Sequence, residues 1–140
     1  MCSVAHVAVG ALIGSFLGNS ILSFGAGFVS HIPLDAIPHF DFKDFKVDAA
    51  VTLGLLGAVI VAAPFTPVFF GALGAVLPDF ENLLWKLRII DEKNKVFPTH
   101  SGLIRHGRAT PSGGLRAEIL VSVFCAVAVA VAVLIRGGTS

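Results

Sequence analysis

The stretch Ser30 to Phe42 reads SHIPLDAIPHFDF and sets two histidines and two aspartates inside a strongly apolar chain. His31 and Asp35 are four residues apart, so on an unbroken helix they share one face. Pro33 lies just after His31 and predicts a kink, while Pro38 disfavours helix at its predecessor and leaves His39 and Asp41 on a turn. Imidazole with carboxylate suits zinc, or manganese and iron where oxygen ligands predominate. Two other arrangements use the same groups. Asp35 can simply hydrogen-bond and neutralise His31, or both can pair at a solvated helix end.

Other segments supply further ligands. Asp79 follows Pro78 in LPDFEN, and a carboxylate in so apolar a helix costs several kcal/mol unless paired or ligated. Arg105 or Lys86 could be its partner, as could a metal shared with His31 and Asp35. His6 lies in the first apolar run, His100 in PTHSG and His106 in IRHGR, so the five histidines can serve one or two cations. A three-ligand site with an open position lowers the pKa of a held water to about 7, which suits attack on an ester or phosphoester. Arg105 and Arg108 flank His106 and fit bidentate recognition of a phosphate-bearing head group, although a cytoplasmic loop would carry them anyway. Asp41 either extends the motif, with a proton-handling role shared with His106, or belongs with Asp44 and Asp48 to a solvated link.

The elements that must position these groups are apolar. The chain is 55% hydrophobic and only 14% charged, against about 25% charge in ordinary soluble domains, and its mean hydropathy is +0.87. Five apolar segments appear: 4–17, 21–37, 48–63, 67–87 and 115–135. They predict a single all-α domain over 1–140, an integral membrane bundle of two helical hairpins, a polar loop over 88–114 and a C-terminal transmembrane helix. That last segment matches a hydrocarbon core of about 30 Å. Gly10, Gly14 and Gly18, with Gly71 and Ala75 in the fourth segment, predict small-residue faces for close helix packing. Cys2 and Cys125 read as small hydrophobes, not as a disulfide or metal pair. The N-terminal run lacks a basic n-region and is expected to be retained. The net charge of +1 gives no pull toward nucleic acid.

Five alternating spans would put the N-terminus, residues 40–47 and the 88–114 stretch on one side. Nearly all Lys and Arg residues fall there with the candidate ligands, so the positive-inside rule makes that side cytoplasmic, at an inner membrane. Trp85 is expected as an interface anchor.

SHIPLDAIPH resembles the SHxxLD segment of the membrane-bound metal-dependent hydrolases, distantly similar to zinc-dependent phospholipase C. An early His as in VAHVAVGALIG, a PD motif as in LPDFEN and a His-and-Arg segment as in THSGLIRHGR are also similar to that family, in a different order. The resemblance implies a metal site from His6, His31, Asp35, Asp79 and His100, and a hydrolase reaction.

The leading expectation is therefore a membrane metal-dependent hydrolase, with a divalent cation such as zinc, acting on a lipid-like or phosphoester substrate. His31, Asp35 and Asp79 would hold the metal with His6, His39 or His100. The bilayer is the expected partner. A non-catalytic membrane protein, with the same groups as a structural metal or hydrogen-bond network in a homo-oligomer or partner complex, stands as the alternative. A transporter relay fits less well, because the groups gather at one side and not at the midplane.

Overall fold

The computed structural model describes residues 3–37, 39, 40, 42, 44–108 and 110–137. Cys2, Pro38, Asp41 and Lys43 lie outside the described residues. The five α-helices are α1 (Ser3–Leu17), α2 (Ser20–Ala36), α3 (Phe45–Ala62), α4 (Pro67–Lys86) and α5 (Pro111–Gly137), with a short 3-10 turn at Glu92–Asn94. No strand runs through the described residues.

Local chemistry explains the boundaries. Gly18 takes a left-handed φ of +66° that closes α1, and the Asn19 side chain then accepts from the Leu22 amide at 3.0 Å to cap α2. Asp44 caps α3 through the Lys46 amide at 2.9 Å, which starts that helix earlier than the apolar run alone predicts. Asp44 and Asp48 are thus a cap and a first-turn acid of α3, placed where the helix dipole favours negative charge. Pro67 opens α4, where its missing N–H costs nothing. Pro33 and Pro78 are carried inside continuous helices.

Three helices, α3, α4 and α5, are long and apolar enough to cross a membrane. The expectation of about five spans is narrowed by α2, with 17 residues, and by α1, whose 15 residues extend only about 22 Å at about 1.5 Å each. It is the inner helix of the bundle, in contact with all four others. The reason is small side chains. A Cβ added at Gly10 would stand 2.3 Å from the Gly71 carbonyl oxygen, and one at Gly71 would stand 2.1 Å from that of Gly10. Gly14 meets the Pro67 carbonyl in the same way, so two helices touch backbone to backbone. Gly18 is a turn residue and not part of this face. The widest packing is not within the hairpins but between them, α4 lying against both α1 and α2. By contrast, α3 buries only Thr52 and leaves its apolar surface outward, as a lipid-facing helix would.

Candidate metal centre

Three elements meet around Asp35. Its carboxylate, 1% exposed, is approached by His31 from its own helix, His6 from α1, and His100 and His106 from the 88–110 connection. His31 Nε2 lies 3.2 Å from Asp35 Oδ2, and His100 Nε2 lies 3.3 Å from the same oxygen. The two imidazole nitrogens are 3.4 Å apart.

Hydrogen bonds on the far side of each ring fix the tautomers. The Ala75 carbonyl can only accept, so His31 Nδ1 donates to it at 2.7 Å and Nε2 is the nitrogen turned toward Asp35. His100 Nδ1 faces Glu81 Oε2 at 3.3 Å. Glu81 is itself an acceptor for the Phe97 amide at 3.2 Å and for the Val96 amide, so His100 also presents Nε2 as its lone-pair nitrogen. The Asn82 side chain lies 3.0 Å from that nitrogen, and it must turn its amide away for a metal to take the lone pair. Ligating histidines are held in this manner in metalloproteins, by a carbonyl or carboxylate on the second ring nitrogen.

The loop bearing His100 is a compact turn. His100 and Ser101 amides both bond the Phe97 carbonyl at 2.9 Å, and Gly102 supplies a φ of +82°. Thr99 Oγ1 donates to Asp35 Oδ2 at 2.6 Å. Further along, the Gly107 amide bonds the Asp35 carbonyl at 2.7 Å, and the Thr110 amide bonds the His39 carbonyl at 2.8 Å. The strap thus runs beside the end of α2 and brings His106 to its place.

Three neighbouring acceptor atoms with edges of 3.2, 3.3 and 3.4 Å form the face of a tetrahedron around a small cation. Ligand bonds of about 2.0–2.1 Å at tetrahedral angles give edges of about 3.3–3.4 Å. Asp79 is the nearest fourth group, its Oδ1 being 3.7 Å from His31 Nε2 and 4.0 Å from His100 Nε2. Its other oxygen is buried without a hydrogen bond. The expected partners Arg105 and Lys86 do not pair with it among the described residues, where its charged-group neighbours are the two histidines.

His6 makes a second grouping with His31 and Asp79. Its ring stacks on that of His31 with centroids 3.9 Å apart and planes 17° from parallel. It is 0% exposed, and neither ring nitrogen makes a hydrogen bond of good geometry, although Nε2 lies 3.3 Å from Asp35 Oδ1. A buried imidazole left so costs about 1–3 kcal/mol. A cation among these groups would offset that cost. The donor set therefore fits a divalent metal, through the spacing of the His31, Asp35 and His100 atoms and with the orphaned His6 and Asp79 atoms beside them.

No family model, curated protein or solved structure matches this chain. The site must be read from its own residues.

Of the ligands expected from sequence, His6, His31, Asp35, Asp79 and His100 are brought together. His39 stands apart from them: its Nδ1 faces the Ile37 carbonyl at 2.8 Å and its Nε2 faces His106 Nε2 at 3.2 Å. His106 bridges the two groups, with Nδ1 3.6 Å from Asp35 Oδ2 and a side chain 39% exposed. Arg105 and Arg108 are exposed beside His106, in an open depression with Ala36 and Gly107. Asp41, expected to handle protons, lies outside the described residues. Glu81, Asn82 and Thr99 were not anticipated. Their signal was adjacency, since PDFEN places Glu81 and Asn82 within one turn of Asp79, and Thr99 precedes His100. Trp85 lies on a cavity wall with Lys95 Nζ 3.7 Å from its ring centroid. Burial pushes the Lys95 ammonium below lysine's usual range, and Lys86 adds to the effect.

Proposed function

We propose that the chain is a membrane-embedded metal-dependent hydrolase, with zinc or a similar divalent cation among His31, Asp35 and His100, acting on a phosphoester or lipid-like ester. One observation carries the reading: three acceptor atoms meet at 3.2–3.4 Å with their tautomers set from behind. A cation there supplies Lewis acidity and a nucleophile at neutral pH.

The protein's own groups account for the rest. Ala75 and Glu81 orient the imidazoles, and Thr99 holds Asp35. His106 is exposed enough to exchange protons with solvent and near enough to Asp35 to pass one at the site. Arg105 and Arg108, next to it on the open side, suit an anionic head group. The Asp79 side chain is 16% exposed and lines a cavity with His106 and Asp35. A purely structural centre needs no such opening. The Lys and Arg distribution supports a cytoplasmic orientation of this face.

Hydrolysis of a phosphoester and lipid panel by zinc-loaded protein in detergent tests the reading. His106→Ala is expected to lower turnover by about 10²–10⁴-fold while zinc is retained, and His31→Ala to abolish both. Bound zinc with no turnover on any substrate would instead establish a structural centre.

A further inference from the structure

The centre opens into a cavity of about 390 Å³ between α3 and α4. Its composition changes with depth. Along one face of α3, Asp48, Thr52 and Leu56 follow at successive turns, each about 6 Å further on. Along α4, Asp79 gives way to Val76 and Leu73, and all six residues line the cavity. Carboxylates, one of them bonded by Ser3 Oγ at 3.2 Å, stand at the end nearest the centre. Leucine and valine side chains line the other.

Thr52 marks the boundary between these halves. It is 6% exposed and its hydroxyl has no hydrogen-bond partner, which costs about 1–3 kcal/mol in an otherwise apolar wall. Helical threonines usually bond the carbonyl one turn back. A hydroxyl that does not has a hydrogen bond to give, and because the atom is itself buried a ligand acceptor reaches it only by a rotation of the Thr52 side chain. Beyond the centre, His106 is shared with the depression that holds Arg105 and Arg108, so a basic rim, the ligand cluster, one hydroxyl donor and an apolar slot follow in that order. The outer wall, α3, is the helix with almost nothing buried, so the slot borders the lipid-facing side of the bundle.

We infer that this cavity binds a single-chain phosphate-bearing amphiphile, with its phosphate toward Arg105, Arg108 and the metal centre, its ester carbonyl on Thr52 and its one acyl chain between α3 and α4. The inference rests on the metal-site reading for its polar end, since Asp35, Asp79 and Asp48 outweigh Lys86 on the lining and would repel a phosphate without a further cation. One chain is specified because the volume lies near the lower end of the range of about 300–1,000 Å³ for small-molecule sites. The substrate of the proposed hydrolase is then a monoacyl phospholipid.

Native mass spectrometry of zinc-reconstituted protein with 1-oleoyl lysophosphatidate reads metal and lipid in one spectrum. Wild type is expected to hold zinc and retain one lysophosphatidate, and to retain dioleoyl phosphatidate at least about tenfold more weakly. Ala49→Phe, which fills the cavity from α3, is expected to keep zinc and lose the lipid. Thr52→Val, matched in shape, is expected to keep zinc and weaken lipid retention by about two- to tenfold, the worth of one hydrogen bond. Equal lipid retention by wild type and both variants, with zinc present in all, would overturn the inference and leave the metal site standing. Cavity-dependent retention by a wild type that takes up no zinc would overturn the metal reading instead.

Discussion

Gly27→Ala tests whether helix packing holds the centre together. A Cβ at Gly27 would stand 2.2 Å from the Gly71 carbonyl oxygen, where ordinary contact begins at 3.4 Å. The shortfall, 3.4 − 2.2 = 1.2 Å, must be met by moving α2 away from α4, because the obstacle is backbone. His31 is one turn further along α2. If the movement reaches it, the 2.7 Å bond from His31 Nδ1 to the Ala75 carbonyl lengthens to 2.7 + 1.2 = 3.9 Å, beyond the roughly 3.2 Å long end of such bonds. Overpacking costs about 1–3 kcal/mol, and the orphaned buried donor adds about 1–3 kcal/mol. Gly25, two residues away, is the control: it is exposed, and a Cβ there meets nothing within 4 Å. Both changes gain about 1 kcal/mol of helix propensity, so Gly27→Ala should be about 2–6 kcal/mol less stable than Gly25→Ala. Its zinc affinity should fall about 10–100-fold, as when a partner behind a ligand is lost. Thermal unfolding in detergent and competition with a chromogenic chelator measure the two. Equal zinc affinity in the two variants would refute the coupling of helix packing to the site.

Three further outcomes follow from the same geometry. Thr99→Val removes the 2.6 Å hydroxyl bond to Asp35 and should weaken zinc about tenfold with the fold intact, read by circular dichroism and chelator competition. Glu81→Ala frees the Val96 and Phe97 amides and the His100 ring, so hydrogen exchange should quicken across 95–104 while α1 and α2 stay protected. Imidazole must give up its proton at the ligating nitrogen, so acidification should release zinc, with two histidine ligands giving a slope approaching two decades of affinity per pH unit once both are protonated. A flat pH profile would exclude histidine ligation.

The apolar segments were legible because each is long and bounded by Gly, Pro or Asn, and hydropathy reports such runs whatever packs on them. What hydropathy does not carry is depth: α1 and α3 are both apolar, yet α1 is the buried centre and α3 the outer wall. The Gly10 and Gly71 contacts decide that difference, and they are pairwise. At the site, the spacing of His31 and Asp35 was readable because one helix fixes it. The convergence of His6, Asp79 and His100 was suggested only by their gathering at one end of the threaded chain. The placement of His39 was not legible, because nothing in HxxxDxxPH shows its ring turning toward the strap and His106. Glu81 and Thr99 were missed because a residue that orients a ligand needs only to be an acceptor or donor in the right place, which many sequences allow.

The central claim is a cation held by imidazole and carboxylate ligands at Asp35. X-ray absorption at the zinc edge of the reconstituted protein tests it most directly. Wild type should bind zinc with a nitrogen and oxygen shell at about 2.0–2.1 Å that includes at least two imidazoles, and His31→Ala and His100→Ala should each lose the metal. A wild type that takes up no zinc, or a coordination shell unchanged by both substitutions, would contradict it.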